Sequence, residues 1–143
     1  MMEKFTFQML LRCQYSGDDN TIEQLEVEHQ VDDTWQELDL DIRSPGFDIF
    51  MYAILTCQHM YFRNNAAEYG LAMSSSEGLI TVIADEHRSI ETLHGEFKGT
   101  LKKGAATTEM VNSITARMGL CPVSINLKEI PDKTITINFE SAR

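Results

Sequence analysis

A chain of 143 residues with 43% hydrophobic and 24% charged side chains can enclose one core but not two ordinary domains, and it is too apolar for a disordered chain. Its formal net charge of −10, with the twelve Lys and Arg scattered, excludes a nucleic-acid surface, which needs a basic stripe. No run approaches the ~18–20 apolar residues of a membrane span, and Met1 to Cys13 lacks signal-peptide form, so a single cytoplasmic domain over residues 1–143 is expected, with no membrane or nucleic-acid partner.

Phe5, Phe7, Met9 and Leu11 alternate with Thr6, Gln8 and Leu10, the pattern of a half-buried strand. Ser16 to Asn20 is a turn cluster. Leu25, Val27 and His29 mark a second strand, and Trp35, Leu38, Leu40 and Ile42 a third, less regular one. The chain thus opens as an antiparallel meander. Ser44-Pro45-Gly46 stops it, and from Phe47 to Tyr69 there is neither Gly nor Pro. The first three turns of that helix are apolar on every side, which predicts a helix enclosed by protein. Gly70 suits its left-handed C′ position.

Met73 to Gly78 reads as a turn, and Leu79 to Ala84 as a central strand apolar on both faces. Ser89 to Leu101 pairs with it through Asp85 to Arg88. Thr107 or Thr108 can cap a second helix whose Met110, Val111, Ile114 and Met118 share one face, and Gly119 ends it. Cys121-Pro122 opens a short helical piece, and Thr134 to Phe139 forms the last strand. The fold class is α+β, with antiparallel sheets around a long buried central helix. One small sheet cannot sheathe such a helix, so a second copy covering its other side, an obligate homodimer, is expected.

The three cysteines, at 13, 57 and 121, are an odd number and make no secreted disulfide framework. In a reducing compartment each is either a small buried residue or a working thiol. Cys57 lies three turns into the long helix, beyond reach of its dipole. It is packed and inert unless a cation or hydrogen-bond donors favour its thiolate. Cys121 precedes Pro122 at an apparent N-cap, where free N–H groups favour an anionic sulfur. Cys13 has no supporting feature and reads as packing. Asp48 can simply complement the helix dipole or act in catalysis; Arg43 is either solvated or reaches a thiolate. His59 points away from Cys57 on a helix, and no closely spaced ligands join it, so neither metal nor cofactor is expected.

Two segments resemble the OsmC/Ohr family, the osmotically induced and organic-hydroperoxide-resistance proteins, in its OsmC-like branch. Ser44-Pro45-Gly46-Phe47-Asp48-Ile49-Phe50-Met51-Tyr52-Ala53-Ile54-Leu55-Thr56-Cys57 is similar to that family's Pro-containing turn, acidic residue and apolar helix with a cysteine. Met118-Gly119-Leu120-Cys121-Pro122-Val123-Ser124 is similar to its Cys-Pro-Val-Ser segment. The element order agrees from about residue 4 to residue 139.

The resemblance implies an intertwined homodimer with active sites at its interface. It implies a thiol-dependent peroxidase that reduces organic hydroperoxides and is recycled by a cellular dithiol. Cys57 would become a sulfenic acid and Cys121 would resolve it as a disulfide, with Asp48 and Arg43 as the acid and cation at hand. Family members place a glutamate ten residues before the first cysteine; here that position is Phe47, and Asp48 follows it. The alternative is a non-enzymatic dimeric module that binds a small apolar ligand or a protein partner beside the helix.

Overall fold

Alternation of apolar and polar residues builds most of one sheet. The computed structural model describes residues 3–141. Strand β1 (Lys4–Ser16) pairs antiparallel with β2 (Thr21–Val31), which pairs with β3 (Thr34–Glu37). The β2–β3 turn is Asp32-Asp33, both at positive φ (51° and 64°), the backbone a two-residue hairpin requires. The third segment is shorter than its apolar residues suggest: pairing stops near Leu38, and Ile42 is 96% exposed.

Helix α1 (Gly46–Glu68) follows. Its end is a Schellman motif: the Leu71 N–H reaches the Ala66 carbonyl (2.9 Å), the Gly70 N–H reaches that of Ala67 (3.0 Å), and Gly70 has φ +74°. Strands β4 (Ala72–Asp85) and β5 (Ile90–Lys103) pair antiparallel, helix α2 (Thr108–Met118) crosses over, and β6 (Asp132–Ser141) completes the sheet. Thr107 caps α2 by accepting the Met110 N–H at 3.2 Å.

The strand order is β3-β2-β1-β4-β5-β6, one six-stranded sheet. Two expectations are corrected here. The sheet is mixed, because β6 lies parallel to β5 after the α2 crossover. The expected turn at Met73 to Gly78 is strand. Cys13 pairs with Ser76 and Ser76 with Gly99, so the serines lie inside the ladder, and the turn falls at Gly70.

Among the described residues α1 is covered by the sheet on one face. Met51, Ile54, Leu55 and Phe62 are buried against Met9, Leu11, Ile80, Val82, Leu93 and Phe97 of the sheet, with the Phe62 and Phe97 rings 5.4 Å apart. On its outer side Ile49 and Met60 are 41% and 48% exposed. A single sheet covers one side of a cylinder about 10–12 Å across, and the described residues supply no second layer there. Among the described residues no helix is long and apolar enough to cross a membrane.

Candidate functional site

Within the apolar α1, Thr56-Cys57-Gln58-His59 is a polar run. Successive side chains on a helix are ~100° apart, so this run fans toward different neighbours. Cys57 faces Cys121 and the backbone of Val123. Gln58 turns inward to Ser124. His59 turns toward β1 and β4, where its Nε2 lies 2.7 Å from the Tyr15 hydroxyl, itself 2.5 Å from Ser76 Oγ.

Cys121 arrives from the other side. Gly119 ends α2, Leu120 is 61% exposed, and Cys121 turns fully inward. The helical piece after Pro122 is one 3-10 turn, Ser124–Asn126, beginning three residues beyond the cysteine. Even so, the Cys121 sulfur accepts the Ser124 N–H at 3.3 Å, the i-to-i+3 bond of an N-cap side chain. Its thiol donates to Ser124 Oγ at 3.2 Å, and that oxygen also accepts Gln58 Nε2 at 3.3 Å. Lys133 closes the turn, its ammonium donating to the carbonyls of Ser124 (3.3 Å) and Leu127 (3.1 Å). Gln58 Oε1 lies over Gly95, where a Cβ would come within 2.3 Å of it.

All three cysteines are free thiols. Burial, then the neighbouring Cys121 thiol, pushes Cys57 up to about 11, against a lowering by the Val123 N–H. Neither Arg43 nor Asp48 contributes to that balance. Arg43 is 87% exposed and its guanidinium pairs with Asp41 at 3.4 Å. Asp48 sits half-buried in the first turn of α1. The structure thus brings Cys57 and Cys121 together and leaves Arg43 in solvent. Cys13 is 2% exposed in the core, its thiol raised by burial.

Gln58 and Ser124 are site residues that sequence reasoning passed over. Ser124 was visible only as part of a motif. A glutamine amid apolar helical residues was the available signal, because a buried amide requires partners. Two adjacent thiols, one with its sulfur accepting a backbone N–H, can interconvert with a disulfide and capture a sulfenic acid.

No known family profile matches the chain, and no curated protein matches it by sequence. Comparison with solved structures defines the class: this chain has the fold of OsmC-like proteins. It is similar to an OsmC-like protein from Mycoplasma pneumoniae, at 8% identity and TM-score 0.53, over 100% of this chain and 98% of that one. It is also similar to an OsmC-like hydroperoxide resistance protein from Jannaschia sp. CCS1, at 12% identity and TM-score 0.57, over 87% of each chain.

Proposed function

We propose that this protein is a thiol peroxidase that reduces organic hydroperoxides in the cytoplasm, working as a homodimer and recycled by a cellular dithiol. The observation that carries the reading is the meeting of Cys57 and Cys121, 64 residues apart in sequence, at one half-buried place. The fold shared with a protein described as a hydroperoxide resistance protein supports it.

The Cys57 thiolate attacks the outer peroxide oxygen, the O–O bond breaks, and the alkoxide leaves as an alcohol after taking a proton. Cys57 is then a sulfenic acid. The Cys121 sulfur attacks it, expelling water and forming the disulfide. Before the first step the Cys57 thiol loses its proton to solvent, and the departing alkoxide takes one back. Asp48 is the acid in the first turn of α1, and Arg43 the cation just before it; on this reading both act indirectly, since neither touches the thiols.

Addition of one equivalent of an alkyl hydroperoxide to the reduced protein is expected to remove two thiols and yield a Cys57–Cys121 peptide on tryptic mapping. Cys57→Ser is expected to abolish peroxide consumption; undiminished consumption in that variant overturns the reading. The absence of Arg43 from the thiols and the reluctance of the Cys57 thiol to ionise favour a second reading, an OsmC-like dimeric module that binds a small apolar ligand or a protein partner. That reading predicts slow, non-saturating reaction with peroxide and a ligand that co-purifies.

A further inference from the structure

The two sulfurs are held unequally. Cys57 is half-buried, with the Cys121 thiol and the Val123 backbone N–H as its polar neighbours. Cys121 is fully buried and receives the Ser124 N–H at 3.3 Å, with the Ser124 hydroxyl 3.2 Å away. The Ser124 oxygen is occupied by the Gln58 amide. When Cys121 carries a negative charge, the hydroxyl proton of Ser124 is therefore free to turn onto the sulfur. The other end of the Gln58 amide lies against Gly95, where no side chain stands. Gln58 and Ser124 are each only 1% exposed, so these bonds form away from competing water. The charged group on this turn is Lys133, held on the Ser124 and Leu127 carbonyls.

We infer that Gln58 and Ser124 are positioning residues that make Cys121 the leaving sulfur of the pair, so that a reductant attacks the Cys57–Cys121 disulfide at Cys57. The inference rests on the disulfide of the proposed reaction. Exchange is favoured at the sulfur a thiolate can reach, and when the expelled sulfur is the better stabilised anion. Both conditions select Cys57 for attack. A reductant thiolate bonds to Cys57 Sγ, the Sγ–Sγ bond breaks, and its electron pair stays on Cys121, held by the N–H and O–H of Ser124. The second thiolate of the dithiol then attacks the reductant's own sulfur and expels Cys57. Two electrons pass from dithiol to disulfide, and the dithiol's two protons return to the cysteines.

The test uses the full chain with Cys13→Ser, oxidised by diamide so that it does not depend on peroxide chemistry. One equivalent of glutathione is added, exchange is stopped with acid, and the adduct is located by peptide mass mapping. Glutathione is expected on Cys57. Ser124→Ala is expected to slow that exchange about threefold or more, and Ser124→Thr, which keeps the hydroxyl, to restore it. Gln58→Leu is expected to slow that exchange in the same way, about threefold or more. Glutathione on Cys121, or an unchanged exchange rate in both Ser124→Ala and Gln58→Leu, overturns the inference. Adduct on Cys57 without any peroxide consumption defeats the peroxidase reading and leaves this one standing.

Discussion

Cys57 and His59, two residues apart on α1, are both pushed toward their neutral forms by burial, with different consequences. With its thiol held up to about 11, Cys57 is almost wholly protonated at neutral pH. The thiolate is the nucleophile, so its reaction with an alkyl hydroperoxide is expected to accelerate about tenfold per pH unit from 7 towards 10. Rates of sulfenate capture across that range check this, and a flat profile would show a thiolate already formed. His59 is lowered from 6.5 to about 4, first by burial and then by Arg63. The unfolded chain binds a proton as pH falls through 6.5 and the native one only near 4. Stability is therefore full above about pH 6.5 and lost progressively down to about pH 4, by up to about 3 kcal/mol. Urea midpoints across that window are expected to fall less steeply in His59→Gln than in the parent chain.

At the scale of elements, the central strands approach one another and α1 so closely that side chains are missing by necessity. A Cβ on Gly78 would lie 2.4 Å from the ring of Phe97, itself buried and packed on Phe62. Gly78→Ala is expected to cost about 1–3 kcal/mol through the displaced ring, read as a lowered denaturation midpoint with the thiol chemistry retained. An unchanged midpoint would mean that Phe97 has room to move. The same closeness explains why the serine run at 74–76 was misread as a turn. Ser74 Oγ donates to the Thr100 carbonyl at 3.3 Å and Ser76 meets Tyr15, so these hydroxyls find partners that exist only once distant strands are assembled. The ends of α1 and α2, by contrast, are marked by Gly70 and Thr107, whose signals act within a few residues.

The whole chain leaves α1 half covered, with Ile49 and Met60 exposed along one side of it and Ala53 and Thr56 half-buried between them. On the proposed homodimer a second copy packs there, beside Cys57. Met60→Glu is expected to place an unpaired charge in that contact and convert the dimer to monomer in sedimentation experiments. A parent chain that sediments as a monomer would remove the proposal. The net charge of −10 keeps such copies apart elsewhere and leaves association to the apolar side of the helix.

By itself the sequence determined the α+β class, the long helix with its Gly70 end, the capped second helix and the candidate pair of cysteines. Those features follow from hydrophobic period and from end signals spanning a few residues, which are local physics. Only the tertiary structure decided that β6 lies parallel to β5, that β4 begins at Ala72, and that Arg43 points into solvent while Ser124 meets the sulfur of Cys121 and Gln58 meets Ser124. Strand partners and buried hydrogen bonds join residues far apart in the chain. Their energies depend on which surfaces lose water together, and no local pattern records that.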